Sequence, residues 1–527
     1  MTPVIHAGFS LISNILPDLY RASGVNYDHI IVGAGSAGCV LASRLSENPE
    51  CNVLLLEAGT DYPHQVDIPD DLKYGYGPPS GILSQTHQWN YTASLTSLAS
   101  DMPIPRGKVT GGSSSVNAQI FLRGLRDDFA RWVGLGNDQW SYDQVLPYFC
   151  KLETDVDFTD ENHGSAGPVH VRRYLEPHWR ADQAAFYEAC CDAGIVPCPD
   201  FNHPESGDGV GPFPLNNKSR TRISMALAYL DPARNRPNLT IMPHCRTLRI
   251  LFEGTRAAGL QVSAGGSPET VYAGQITLAA GAIGSPHLLM CSGVGPEEQL
   301  KRFHIPKVLP LPGVGQNLKD HPAVPMTWQL RDDHYVDRMT HGHQVGLRYT
   351  SRESDVTSDM IVYTTAREIG GPFLARPTVN LAFSQGALTL SSSNPLVSPS
   401  LNYNLFSHPQ DRLRIHEGIH LCTELASHVA FSRIIDHPLE PAKEVMDSSI
   451  ALDNWIDRNA ATGHHVSCTC KMGPGSDPLA VVDQVGIVHG LTGLRIVDAS
   501  IMPECVRANI HATVLMVAEK IAVDMAS

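Results

Sequence analysis

A chain of 527 residues with 42% hydrophobic content exceeds what one compact core holds and predicts two closely joined domains. Its formal net charge of −15 argues against nucleic acid or an anionic membrane surface as partner. No apolar run approaches the ~18 residues of a membrane-spanning helix, so no membrane span is expected.

Residues 1–26 lack a basic start and a small-residue cleavage site, and read poorly as a secretory signal. Phe9, Leu11, Ile12, Ile15 and Leu16 there predict a short amphipathic helix packed on the body. Residues 27–46, YDHIIVGAGSAGCVLASRLS, then give a strand, a glycine turn and a helix. Ile30, Ile31 and Val32 suit a buried parallel strand. Gly33, Gly35 and Gly38 form G-x-G-x-x-G: a tight turn, a close backbone approach to pyrophosphate, and close helix packing. The following helix, over 39–45, points its positive end at the phosphates. A second strand over 52–56 ends in Glu57, where a ribose hydroxyl needs an acceptor. Together these predict a dinucleotide site.

Residues 58–105 read as long loop. RGKVTGGSSSVN at 106–117 is a polar loop rich in backbone N–H groups, suited to phosphate or the underside of a flavin. The run 116–122 reads as helical. Residues 128–152 carry helical spacing, and 153–219 are polar and turn-rich, opening a second domain. The stretch 222–230 reads as a helix. Strands are expected at 239–242, 247–252, 261–263 and 271–278, forming a small β-meander. In 279–295, AAGAIGSPHLLMCSGVG, a strand ends and Ser285-Pro286 opens a helix. PGVGQNLKDH at 312–321 is a further glycine turn. Strand and helix patterns alternate over 323–460, including 378–383 and 412–428. At the end, LRIVDASIMP is a strand ending at Asp498, and ANIHATVLMVAEK begins a last helix. Glu519 and Lys520 read as its surface end.

The twelve cysteines lack the paired spacing of zinc ligands. That predicts free thiols, no metal, and the cytoplasm more than secretion. Cys468 and Cys470 read as packing rather than a redox pair.

Taken together, these blocks resemble the glucose–methanol–choline oxidoreductase family from Tyr27 to Ala526, nearest the choline, sorbose and hydroxymethylfurfural branch. RGKVTGGSSSVN is similar to its first signature, although Thr110 stands where an aliphatic residue is usual. Residues 281–295 are similar to its second signature. The resemblance implies a mixed α/β fold, with a Rossmann-like FAD-binding domain and a discontinuous substrate domain built on a β-sheet flanked by helices. The implied division is an N-terminal extension at 1–26, FAD-binding parts at 27–160, 222–322 and 472–527, and substrate parts at 161–221 and 323–471.

His465 precedes Thr469 by four residues and Met472 by seven, which the resemblance places at the family's catalytic base. His511 falls at the second catalytic position, where it would orient the substrate. The implied FAD contacts are Gly33, Gly35, Ser36, Ala37 and Gly38, then Glu57 and Ala58. They continue with Gly107, Val109, Gly111, Gly112 and Ser113. Asn117 and Ala118 would lie along the isoalloxazine and Thr247 near the adenine. Ala280, Asp498 and Ala499 would lie near the ribityl–pyrophosphate, and Ala512 beside His511. Val116 occupies the position of the histidine that some choline oxidases bond to FAD, so the FAD is expected to be non-covalent. The activity implied is oxidation of a small alcohol with O₂ or another electron acceptor. The alternative is a lyase or cyclase on the same scaffold without net redox change. On local grounds His244, His287, His321, His464 and His489 read as structural.

Overall fold

The computed structural model describes residues 27–74, 87–336, 340–352, 354–366 and 371–526. The helix expected before residue 27 lies outside them. Ile30, Ile31 and Val32 are buried on both faces of the strand, as a central parallel position requires. They belong to β1 (Tyr27–Val32), which leads into α1 (Ser36–Leu45) and β2 (Val53–Leu56). Further on come β3 (Leu239–Met242), β4 (Arg246–Glu253), β5 (Arg256–Ser263), β6 (Glu269–Leu278) and α2 (Gly281–Cys291). The sheet order is β3-β2-β1-β6-β5-β4. The first four strands run parallel, and β6, β5 and β4 form the expected antiparallel meander. Leu494–Ile496 pairs in parallel with β6, which returns the end of the chain to its beginning.

α2 starts four residues before the expected site at Ser285, with Pro286 inside it. A proline there leaves the Ala282 carbonyl without its helical donor. The Thr469 hydroxyl supplies one at 2.6 Å, so the break that proline signals in sequence is repaired from a distant segment.

A second sheet is antiparallel throughout. Its main strands are β7 (Met326–Leu330), β8 (Val345–Tyr349), β9 (Met360–Ala366), β10 (Pro372–Val379) and β11 (Ile435–Glu440). They run in the order β11-β7-β10-β9-β8, with Gly209–Pro212 beyond β8. Helices Ala181–Asp192 and Pro409–Ala426 pack on this sheet. The first was not expected: it buries Ala185, Phe186, Ala189 and Cys190 inside a stretch whose turn residues dominate its composition.

Other expectations are corrected locally. Residues 116–122 are not helical; Gln119 has φ +67° and Ile120 bridges to Leu215. Thr221–Arg222 is a strand, and the helix predicted over 222–230 is a short π-helix at Ala226–Leu230. Within 58–105 the described residues hold the hairpin of Tyr91–Ala93 and Met102–Ile104; residues 75–86 lie outside. No helix among the described residues is long and apolar enough to cross a membrane. All twelve cysteines are free thiols.

The last helix, α3 (His511–Ala526), packs along α1 and the helix Tyr142–Leu152. Glu519 is fully buried rather than at a surface end. Its carboxylate accepts from Arg44 Nη2 at 2.8 Å and from the Tyr229 hydroxyl at 2.8 Å, and pairs with Lys151 at 2.9 Å. Those three donors lie far apart in sequence, so the face of α3 that carries Glu519 is set by tertiary packing. Glu519→Ala should destabilise the fold by about 3 kcal/mol, the low end for breaking a buried ion pair, because Arg44 keeps some access to water. Urea unfolding measures this; an unchanged midpoint would mean that the cluster adds nothing.

Candidate active site

The turn after β1 borders a cavity of about 820 Å³. Gly33 has φ +101°, a left-handed value that side chains resist, and a Cβ there would stand 2.7 Å from the Ala279 carbonyl oxygen. A Cβ on Gly38 would stand 1.9 Å from the Gly33 carbonyl oxygen, so α1 can approach the turn this closely only on glycine. The first turn of α1 has no side-chain cap and no acidic residue, and Gly35, Ser36 and Ala37 line the cavity. Uncapped N–H groups at a positive helix end form an anion site.

Glu57 turns its carboxylate back onto that same turn. Oε2 accepts from the Ala34 N–H at 3.0 Å and Oε1 from the Gly59 N–H at 2.8 Å. Burial pushes its pKa up to about 7, against the pull of these bonds and of Lys108. With Ala58 it lines the cavity, and a carboxylate has lone pairs left for a ribose hydroxyl. Asp498 also borders the cavity, but its oxygens are engaged. They accept from Gly281 N–H at 2.9 Å, Ser285 Oγ at 2.5 Å and Ser500 N–H at 2.8 Å. Through Gly281 and Ser285 it holds the start of α2 at the cavity edge.

Gly107, Gly112, Ser113, Asn117 and Ala118 line the cavity, as do Thr247, Ala280 and Ala499. Four expected contacts stand behind the wall instead. Gly38 lies beneath the turn, and Val109 and Ala512 are buried in the core. Gly111 donates its N–H to the Ala34 carbonyl at 2.7 Å. A motif mixes residues that touch a ligand with residues that brace the backbone behind it.

His465 and His511 line the same cavity. His465 Nε2 lies 3.1 Å from Asn509 Nδ2, and its Nδ1 lies 2.8 Å from His321 Nδ1. His511 opens α3 with Nδ1 3.3 Å from Ser36 Oγ and its ring edge-on to Phe121. Its Nε2 is buried with no hydrogen-bond partner among the described residues. Burial lowers the His511 pKa to about 4. Burial also holds His465 well below the usual histidine value, reinforced by His321, His464, Arg106 and Arg376. Both rings are therefore neutral at pH 7. The facing wall is the second sheet, where Tyr363 lies opposite Arg376 and Thr365 opposite Leu374.

The N-terminal GMC oxidoreductase profile matches residues 27–323 and the C-terminal one residues 382–518. The chain belongs to the GMC oxidoreductase family. It is 36% identical to a 5-(hydroxymethyl)furfural oxidase of Methylovorus sp. (strain MP688), over 94% of this chain and 98% of that one. It is 33% identical to an oxygen-dependent choline dehydrogenase of Vibrio vulnificus, over 94% of each chain. The crystal structure of pyridoxine 4-oxidase from Mesorbium loti superposes with a TM-score of 0.87 at 29% identity, over 95% of this chain and 99% of that one.

As a GMC oxidoreductase the chain is an FAD enzyme, and its residues fit that group. Thr247 Oγ1, His287 Nε2 and His511 Nε2 are buried cavity atoms with no hydrogen-bond partner among the described residues, and the α1 N-terminus is uncapped. Three histidines read as structural stand at the site. His287 and His464 line the cavity, and His321 touches His465. No local signal marks His321, because its contact lies 144 residues away. His244 is exposed, and His489 Nε2 lies 3.0 Å from the Gly473 carbonyl oxygen; neither lines this cavity. Cys468 and Cys470 are buried, which raises both thiol pKa values and disfavours the reactive thiolate.

Proposed function

We propose that this enzyme oxidises small uncharged alcohols, with His465 as the base and His511 as the group that orients the substrate oxygen. FAD, when bound, supplies the hydride acceptor. The observation that carries the reading is a pair of buried, neutral imidazoles at one cavity, His511 with Nε2 unpartnered among the described residues and His465 with Nε2 held by the Asn509 amide alone. An alcohol is far too weak an acid to ionise unaided at pH 7. His465 Nε2, now facing only the Asn509 amide, takes the hydroxyl proton as the carbon gives up hydride. With the Ser36 hydroxyl donating to its Nδ1, His511 carries its own proton on Nε2 and donates it to the oxygen as negative charge develops. Arg106 and Arg376 add positive potential at His465. That potential favours the developing alkoxide and opposes a cationic substrate, so alcohols such as hydroxymethylfurfural suit this wall better than choline. On this reading the parallel-centred sheet, from 27–160, 222–322 and 472–527, holds FAD, and the antiparallel sheet, from 161–221 and 323–471, covers the substrate.

Anaerobic mixing tests the reading. Hydroxymethylfurfural should bleach the flavin absorbance faster than choline at equal concentration, and admission of air then reports whether O₂ restores the colour. An oxidised flavin beside an isomerised or cleaved product would point to the non-redox alternative and overturn the reading.

The FAD is proposed to be dissociable, since Val116, which lines the cavity, has no nucleophile. Acid precipitation of the holoenzyme should leave the flavin in the supernatant. Flavin retained in the pellet would contradict this.

A further inference from the structure

The segment PGVGQNLKDH, read from sequence as a glycine turn, ends beside the base. Residues 319–321 pair with 463–467: Lys319 and Ser467 exchange N–H···O bonds at 3.1 and 3.0 Å, and Gly463 N–H donates to the His321 carbonyl at 2.8 Å. Asp320 Oδ1 accepts from the backbone N–H of both His321, at 2.6 Å, and His465, at 2.9 Å. The backbone of His465 is thus held from one side by the 319–321 segment. The side chain is held too, since the two Nδ1 atoms lie 2.8 Å apart with the rings near perpendicular.

A neutral imidazole has one N–H and one lone pair. His321 Nε2 lies 2.9 Å from the Val506 carbonyl oxygen and 3.3 Å from Cys505 Sγ. The carbonyl, which only accepts, is the closer and stronger partner and a thiol sulfur is a weak donor, so that nitrogen carries the proton. His321 Nδ1 is then a lone pair, and His465 Nδ1 must be the donor between the two rings. His465 Nε2 is left as the acceptor. Asn509 fits the same assignment: with its Oδ1 accepting from the Tyr363 hydroxyl at 3.1 Å, its Nδ2 faces His465 Nε2. Reversing any one bond sets two lone pairs or two protons against each other somewhere along Tyr363, Asn509, His465, His321 and Val506.

We infer that His321 is a positioning residue, which reads the Val506 carbonyl and thereby fixes His465 in the tautomer whose Nε2 can take a proton. The inference rests on the proposed role of His465. When Nε2 becomes protonated, the Nδ1–H of the imidazolium still has the His321 lone pair as acceptor, the service a carboxylate gives in hydrolytic triads. A neutral acceptor suits this site, because His321 is fully buried and a charge there would go unsolvated.

The holoenzyme tests this by anaerobic flavin reduction with hydroxymethylfurfural. His321→Ala should slow reduction by at least about a hundredfold with FAD content unchanged. His321→Asn, whose Oδ1 can stand in for Nδ1 as acceptor, should recover to within about tenfold of the parent, the range one retained hydrogen bond would span. Equal loss in both variants, or parent rates in His321→Ala beside an inactive His465→Ala, would overturn the inference while leaving the base intact. Parent rates in His465→Ala would instead overturn the base. A second measurement needs neither substrate nor a His321 variant. Nitrogen-15 spectra of histidine-labelled holoenzyme, differenced against His465→Ala, should show His465 with a protonated Nδ1 and a bare Nε2; the opposite tautomer would overturn the inference.

Discussion

His465→Ala should leave FAD bound and slow anaerobic flavin reduction by about 10²–10⁴-fold, the range of a lost general base. FAD should stay because the groups that would grip the nucleotide, the uncapped start of α1, Glu57 and the 106–117 loop, are not among the hydrogen-bond partners of His465, which are Asp320, His321, Cys505 and Asn509. The alanine removes a ring that faces the cavity, so the space it vacates opens to solvent or ligand rather than leaving a dry void. The pH profile carries the same claim. Burial and nearby positive charge lower the His465 pKa, so the ring is already unprotonated at pH 6.5 and above. The reduction rate should be level there and fall only in more acidic solution, as the ring takes up a proton. A rate that falls as the pH is raised through neutrality would mean that a protonated group does the work.

Gly38→Ala should yield protein without flavin. The new Cβ would stand 1.9 Å from the Gly33 carbonyl oxygen, a backbone atom fixed by β1 and unable to swing aside. Overpacking of a core typically costs about 1–3 kcal/mol, and an overlap this deep against backbone belongs at the top of that range or beyond. α1 must lift from the turn, which carries its N–H groups away from the phosphate position and breaks the packing of α1 against α3. The flavin-to-protein absorbance ratio and the urea midpoint should fall together. Full flavin content with an unchanged midpoint would show that the close approach of helix and turn is dispensable.

The nucleotide half was legible because its signals are local. β1, the glycine turn, α1 and β2 lie within 30 consecutive residues, and Gly38 answers a contact inside that stretch while Gly33 answers one with Ala279, just past the end of β6. The β-meander was legible for the same reason. What escaped depends on partners far off in sequence. Pro286 announces a helix start, but Thr469 lets the helix run through it. Glu519 looks like a surface charge until Arg44, Lys151 and Tyr229 are brought to it. The helix Ala181–Asp192 presents no clear polar and apolar faces in sequence, because its buried side includes Asp182 and Gln183 while Ala181, Ala184 and Tyr187 lie on the outer side. At the site, the resemblance pointed to His465 and His511 but not to the ring that sets the tautomer of the first.

On the proposed chemistry a carbon-bound hydrogen leaves the substrate while His465 takes the hydroxyl proton. Anaerobic stopped-flow with hydroxymethylfurfural, ordinary and dideuterated at the carbinol carbon, follows both events at once. Flavin bleaching should slow several-fold on deuteration, and His465→Ala should nearly abolish it. Bleaching that ignores both the deuterium and the missing imidazole, or a flavin that never bleaches with any primary alcohol, would contradict it.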